Sequence, residues 1–280
     1  MRYFDHLRNF YRGSRKYFMS AIFLPDHKRQ ELSIVYQFFR KIDDKIDENE
    51  WGTHDLEKFI ERFFSHWNTG KSMGDPDLDQ FLILARSHKF EQDWIKAFLG
   101  SMRMDLEKHQ FLDLDDTMRY TYGVAEVVGL TVCRLFELKN DCFEYARSAG
   151  RAAQWANFIR DFRSDLEMGR LYFPNSDLTK LNLPTDHESL LALDATDLKE
   201  LFDMQIARYY KYYEYSTKGY RFLPWGLRMA TDFSHRADQR LLRKIEAETS
   251  KPGRTVYVKQ YLKVRELLSE LVSSLKYLKR

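Results

Sequence analysis

The sequence predicts an all-α fold, and three observations carry that prediction. Apolar residues recur three or four positions apart over long stretches, only 12 glycines and 6 prolines occur in 280 residues, and no strand-like run competes. A turn-rich sandwich or propeller would lack its raw material. With 44% hydrophobic and 15% aromatic residues the chain has ample substance for a core, which excludes disorder as its main state. No Gly/Ser-rich linker divides it, so one helical domain is expected over residues 1–280.

The elements follow in order. From Lys28 to Glu48, KRQELSIVYQFFRKIDDKIDE spaces Leu32, Val35, Phe39 and Ile42 as an amphipathic helix. Pro25 and Asp26 mark its start, with Asp26 expected to cap the first amides. A second helix is expected from Asp55 to about Trp67, before the turn-like Thr69 to Asp77 segment. Helical spacing returns at Leu78 to Ser87, at Glu91 to about Lys108 and, after the acidic LDLDD turn, at Thr117 to about Phe136, where Gly123 and Gly129 interrupt it. Asp141 to Leu166 reads as a long helix stopping near Gly169, and Pro174 forbids its continuation. Asn175 to Asp197 looks like a loop with short helical turns. A tyrosine-rich helix then runs from Leu198 toward Tyr220, Pro224 breaks the chain, and two further helices flank the KPGR turn at Lys251 to Arg254.

Forty-five basic against 42 acidic side chains leave a formal charge of +3, which gives no reason to expect a nucleic-acid partner. The two cysteines, Cys133 and Cys142, form no CxxC and have no clustered histidines, so neither a disulfide framework nor a structural zinc site is indicated. No apolar signal-peptide core opens the chain, and no 18 uninterrupted apolar residues occur, so a cytoplasmic protein is expected, at most peripheral to a membrane.

Local charge carries more information. In RKIDDKID, Arg40 to Asp47, the carboxylates of Asp43 and Asp47 lie four apart and point the same way, with Asp44 offset to the side. They repel one another at the C-terminal end of a helix, where the dipole also disfavours anions. A hard divalent cation would offset both effects. In NFIRDFRSD, Asn157, Asp161 and Asp165 fall at i, i+4 and i+8, an oxygen-only stripe interleaved with Phe158, Ile159 and Phe162. A single DxxxD pair reads most simply as a solvated face. Two stripes, with Asp43 and Asp161 118 positions apart and with Arg40, Arg160 and Arg170 suited to phosphate nearby, read as a clamp.

This arrangement resembles the squalene/phytoene synthase family, the head-to-head branch of the all-α isoprenoid synthases. The family's first acidic motif appears here as Tyr36, Arg40, Asp43, Asp44 and Asp47. Its second, followed by Arg-x-Tyr-x-Pro, appears as Asn157, Asp161, Asp165, Arg170, Tyr172 and Pro174. Between them YTYGVAEVVGL, Tyr120 to Leu130, is similar to a Tyr-Gly-Val-Ala-Gly-x-Val-Gly segment, and the resemblance extends from about Ser14 to Arg254.

The resemblance implies a helical bundle around a deep apolar cavity, with the stripes facing each other at its mouth and three Mg²⁺ ions binding the diphosphates of two prenyl diphosphates. It assigns metal binding to Asp43, Asp47, Asn157, Asp161 and Asp165, with Asp44 in support, and assistance of ionisation to Tyr36. Diphosphate contacts fall to Arg40, Arg15, Lys16, Arg170, Tyr172 and Arg254, while Tyr120 and Gln154 border the substrate or simply the bundle core. Neutralising the leaving diphosphate and sheltering the allylic cation are what metal ions, arginines and aromatic walls accomplish.

Three positions depart from the family pattern. Lys16 replaces a serine, and Glu126 stands where glycine is usual and must be paired or protonated if buried. A tyrosine expected near Ala237 is also missing. The small side chains of Ala21 and Ser33 favour a C20 substrate, hence phytoene from two geranylgeranyl diphosphates without a nicotinamide cofactor. The alternatives are a C30 synthase using farnesyl diphosphate (dehydrosqualene, presqualene diphosphate, hydroxysqualene or squalene) and a catalytically silent assembly relative, which intact acidic stripes oppose. A di-iron carboxylate bundle is disfavoured because no ExxH occurs. A monomer or weak homodimer is expected.

Overall fold

Pro25, with φ −56° and ψ 151°, turns the chain into the first long helix, α2 (Asp26–Asp47), which follows a short α1 (Arg15–Ser20). The computed structural model describes residues 15–107 and 110–251, together with 266, 267, 269–271 and 274. Asp26 does not cap α2. Pro25 occupies the cap position, and Asp26 sits within the first turn, paired with Arg29, where its charge still favours the dipole.

Helix α3 (Thr53–Thr69) ends at Gly70, whose φ of 73° is the left-handed conformation that suits glycine. Helix α4 (Pro76–Ser87) is capped by Asp75, which accepts from the amides of Asp77 and Leu78. Helix α5 (Gln92–Glu107) leads into β1 (Gln110–Phe111). Asp113 then caps α6 (Leu114–Thr121), accepting from the Asp116 amide at 2.9 Å, so the expected acidic turn is already the start of a helix.

The single helix expected from Thr117 to Phe136 is interrupted by one wide π turn, Tyr122–Glu126, before α7 (Val127–Leu135). Its glycines serve packing. A Cβ on Gly123 would lie 2.3 Å from the Ala97 carbonyl oxygen, and one on Gly129 would lie 2.5 Å from that of Ala146.

Helix α8 (Phe143–Glu167) stops before Gly169, as expected, and β2 (Leu171–Pro174) pairs in parallel with β1. This ribbon is absent from the sequence reading because 2 and 4 residues are too few for a periodic signal. Two short helices, α9 (Asn175–Lys180) and α10 (His187–Ala192), occupy the stretch read as a loop with helical turns. Helix α11 (Lys199–Thr217) and, beyond Pro224, α12 (Trp225–Thr249) complete the order. The KPGR turn lies outside the described residues from position 252 onward.

The core has two large apolar centres. One joins α8, α11 and β2 through Trp155, Phe158, Phe162, Phe173 and Phe202, and the other joins α2 to α5 and α7 through Phe38, Phe63, Phe81 and Phe98. Phe38 and Phe81 stack at 3.6 Å. Polar groups within the first centre are matched. Trp155 donates to Gln205 at 3.0 Å, and Arg208 clasps Asp177 at 2.6 Å. Glu126 is paired, as its burial demands, with Arg147 and Arg151 of α8 at 2.7 Å each. The Cys133 and Cys142 thiols are 3.3 Å apart, hydrogen-bonded and unbridged. No described helix is long and apolar enough to cross a membrane.

Two glycines on the helices that pack against the π turn should respond oppositely to alanine. A Cβ at Gly150 would meet the Ala125 carbonyl oxygen at 2.5 Å, whereas one at Gly100 meets nothing within 4 Å. Gly150→Ala is expected to lose about 1–3 kcal/mol of stability through overpacking, and Gly100→Ala to gain about 0.5–1 kcal/mol from helix propensity. Denaturant titration of both variants checks the signs.

Candidate functional site

The C-terminal half of α2 supplies the first wall. Arg40 bridges Asp43 at 2.9 Å and Asp44 at 2.5 Å, holding side by side two carboxylates that would otherwise repel. Asp47 lies one turn beyond Asp43, and Tyr36 one turn before Arg40. Burial pushes the Tyr36 hydroxyl up to about 12, against the pull of the Arg40 guanidinium.

The second wall is the C-terminal half of α8. Arg160 donates through Nε to Asp161 at 2.8 Å, and Asn157 donates to Gln154 at 3.4 Å on the same face. The turn at Gly169 reverses the chain so that the Arg170 amide donates to the Asp165 carbonyl at 2.7 Å. From there Arg170 reaches Asp47 at 2.6 Å, and this ion pair ties the α8–β2 side to α2. The two acidic motifs, 118 positions apart in sequence, therefore border one mouth.

A carboxylate that the sequence reading missed lies between them. Asp105 of α5 accepts from the Tyr172 hydroxyl at 2.8 Å and the Tyr120 hydroxyl at 2.9 Å, and its charge is felt by Asp43 and Asp165 on the two walls. No partner acid at helical spacing flags it. The available signal was its place on the buried face of α5, in phase with Phe98 and Met102, where a carboxylate needs a reason. Tyr120 and Tyr172 are thus hydrogen-bonded core tyrosines and site-bordering at once. Their rings are 5.0 Å apart, with Phe158 stacked on Tyr172 at 4.9 Å.

Negative charge here exceeds what the arginines neutralise. Burial first, then the Asp47 charge, raises Asp43 to about 7 despite Arg40. Burial and then Asp161 raise Asp165 to about 8 against Arg170 and Arg160. Burial raises Asp105 to about 6, less far because the Tyr172 hydroxyl stabilises the anion. Among the described residues no three acidic, histidine or cysteine side chains are drawn together as a finished cation cage. Arg40, Arg160 and Arg170 instead each hold one wall's carboxylates. An oxygen-only donor set with surplus negative charge fits a hard divalent cation, which Asp43, Asp47, Asn157, Asp161 and Asp165 would hold.

The remaining expected residues are distributed around this mouth. Lys16 on α1 is buried in an ion pair with Asp238 at 2.7 Å. Ser33 is buried on α2 and donates to its own helix's Gln30 carbonyl at 2.7 Å. Ala21 packs with Leu24, Leu227 and Ala230, near Tyr36. Ala237, near which a tyrosine was expected, is buried with Phe233 and Leu267. Arg15 belongs to α1, and Arg254 lies outside the described residues. Beneath Asp165 and Arg170, Phe158, Phe162, Tyr172 and Phe173 line a narrow crevice rather than a wide hollow, because their stacked rings occupy the space.

The sequence pattern of the family described as Squalene/phytoene synthase matches residues 10–261. The chain belongs to that family. Within it, the chain is 27% identical over 183 residues to a 15-cis-phytoene synthase of Paracoccus sp., covering 62% of this chain and 60% of that protein. It is 29% identical over 184 residues to a presqualene diphosphate synthase of Zymomonas mobilis, covering 64% and 62%. The matches thus span about six tenths of the length of these curated relatives. A crystal structure of a dehydrosqualene synthase in complex with ligand superposes with a TM-score of 0.86 over 98% of this chain and 95% of that one, at 23% identity. The squalene/phytoene synthase fold is therefore shared nearly end to end.

The raised acids set a pH dependence whose sign is unusual. Asp43 and Asp165 hold protons more tightly in the folded than in the unfolded chain, so the stability they contribute is present below about pH 4 and is lost as pH rises through about 7 to 8. In chelator the melting temperature should fall over that window, and less steeply in Asp165→Asn. Added divalent cation should restore more stability at pH 8 than at pH 5. Separately, Tyr120→Phe leaves one Asp105 oxygen without its donor and should cost about 1–3 kcal/mol, read by denaturant titration.

Proposed function

We propose that the protein is a prenyltransferase that joins two prenyl diphosphates head to head through a cyclopropyl diphosphate intermediate. The observation that carries this reading is the Asp47–Arg170 ion pair, at 2.6 Å, which brings the two oxygen-bearing walls to one mouth above stacked aromatic rings. Family membership supports the reaction class. Mg²⁺ held by Asp43, Asp47, Asn157, Asp161 and Asp165, with Asp44 in support, would supply the Lewis acidity that lets diphosphate depart.

The chain's own residues do the rest. Arg40, Arg160 and Arg170 leave their carboxylates to hold diphosphate oxygens, so charge released by the acids is transferred to the substrate. Loss of diphosphate with the C1–O electron pair leaves an allylic cation. Tyr120, Phe158 and Tyr172 present ring faces that stabilise it and exclude water. The double bond of the second substrate then attacks C1, and loss of a C1 proton closes the three-membered ring.

The substrate that best fits the small side chains of Ala21 and Ser33 is geranylgeranyl diphosphate, with phytoene as the product. A second reading, two farnesyl diphosphates ending at presqualene diphosphate, is favoured by the 29% identical Zymomonas mobilis relative. Incubation with Mg²⁺ and either diphosphate, followed by mass analysis, separates them. C40 hydrocarbon without added nicotinamide is the expected result, and a C30 product or ester overturns the chain-length assignment. Asp43→Ala and Asp161→Ala should each lower turnover at least about 100-fold while melting cooperatively. Near-normal turnover in either variant would sink the metal-clamp reading.

A further inference from the structure

Behind the second wall the interior holds another concentration of charge that the foregoing chemistry does not use. Lys16 of α1 donates to Oδ1 of Asp238 on α12 at 2.7 Å, and the Asp238 side chain is only 5% exposed. Its other oxygen, Oδ2, has no hydrogen-bond partner among the described residues, and neither does either ring nitrogen of His235, one turn earlier on α12. Buried polar atoms without partners are uncommon and call for an explanation, often a polar species that visits the site. The imidazole is fixed in place. The Tyr209 hydroxyl donates to the His235 carbonyl at 3.3 Å, and the Tyr213 ring stands edge-on to the imidazole at 5.1 Å.

Arg160 links the group to the reaction mouth. Arg160, whose guanidinium holds Asp161, lies within electrostatic reach of both Lys16 and Asp238. Burial raises the Asp238 carboxyl despite Lys16, and burial with the Lys16 charge lowers His235 to about 3, so the imidazole stays neutral. Lys16 is thus the one hydrogen-bonding partner of the Asp238 carboxyl among the described residues, and Oδ2 is left without any. Should a diphosphate draw the ammonium away, a desolvated carboxylate remains, and desolvation strengthens a base.

We propose that Asp238 accepts the proton lost in the cyclopropane-closing step, restrained by Lys16 until a diphosphate takes that ammonium. The inference rests on the head-to-head reading above. In the step, the C1–H bond breaks, its electron pair forms the second carbon–carbon bond to the tertiary cation of the other substrate, and the proton goes to Asp238 Oδ2. Carboxylate becomes carboxylic acid, cation becomes neutral cyclopropane, and no oxidant or reductant is needed.

The test follows pyrophosphate, cyclopropyl diphosphate and free allylic alcohol separately, with purified protein, Mg²⁺ and geranylgeranyl diphosphate or farnesyl diphosphate. Asp238→Asn should lower cyclopropyl product by about 100-fold or more while pyrophosphate release falls far less, with allylic alcohol from water capture making up the difference. Asp238→Glu should recover part of the cyclopropyl yield. Cyclopropyl product within about threefold of wild type in Asp238→Asn, or a fall in pyrophosphate release that matches the fall in product, overturns the proposal. Lys16→Gln provides an independent arm that keeps the carboxylate: pyrophosphate release should slow while the ratio of cyclopropyl product to alcohol stays that of wild type. A ratio shifted toward alcohol in that variant counts against Asp238 as the acceptor. Wild-type protein that releases no pyrophosphate from either diphosphate instead overturns the head-to-head reading itself, a failure visible before any variant is compared.

Discussion

The architecture is organised around an excess of negative charge at a half-buried mouth. Asp43, Asp44, Asp47, Asp105, Asp161 and Asp165 gather there, and Arg40, Arg160 and Arg170 neutralise them only in part. Burial first, and then like charges close by, make these carboxyls resist ionisation, raising Asp43 to about 7 and Asp165 to about 8. A fold that keeps such a mouth intact must hold it from outside. The bundle does so with stiff elements: α2 and α8 run 22 and 25 residues, and each is buried along one face against aromatic layers that cannot shift without opening voids.

The small parallel ribbon has a larger role than its length suggests. It begins two residues after Gly169 and fixes Tyr172 so that its hydroxyl meets Asp105 while its ring stacks on Phe158. Arg170, just ahead of the ribbon, is thereby aimed at Asp47 on the other wall. Glycine turn, ribbon, tyrosine and arginine form one continuous support, and the pairing of the walls rests on it. On the other side, close backbone approach at Gly129 and Gly150 presses α7 and the π turn onto α8. The acidic stripe of α8 is therefore held from both flanks.

Much of this was legible in the sequence, for definite reasons. The helices declared themselves because their apolar spacing is long and regular, and Asp43, Asp47, Asn157, Asp161 and Asp165 stood out because four-residue spacing places them on common faces. The stop at Gly169 was readable from its backbone freedom. Asp105 was not, since a single acid in an amphipathic helix resembles any solvated charge until the phase of that helix is known. Nor was Lys16 with Asp238, a contact spanning 222 positions that no local pattern encodes. Asp26 misled because a residue type suited to capping stood next to a proline that took the capping place. Glu126 could be placed only as a carboxylate requiring company, and α8 provides that company from Arg147 and Arg151.

The wide turn at Tyr122–Glu126 also constrains how the chain can change length. One extra residue within a helical turn advances the winding by about 100° relative to a regular α-helix. Tyr120, before the turn, faces Asp105, whereas Glu126, at its end, faces the α8 arginines, and the inserted residue sets the angle between them. Excising a single amino acid here would straighten the helix yet swing one of these partners out of reach. The number of residues in the segment is thus fixed by the partnerships on either side of it.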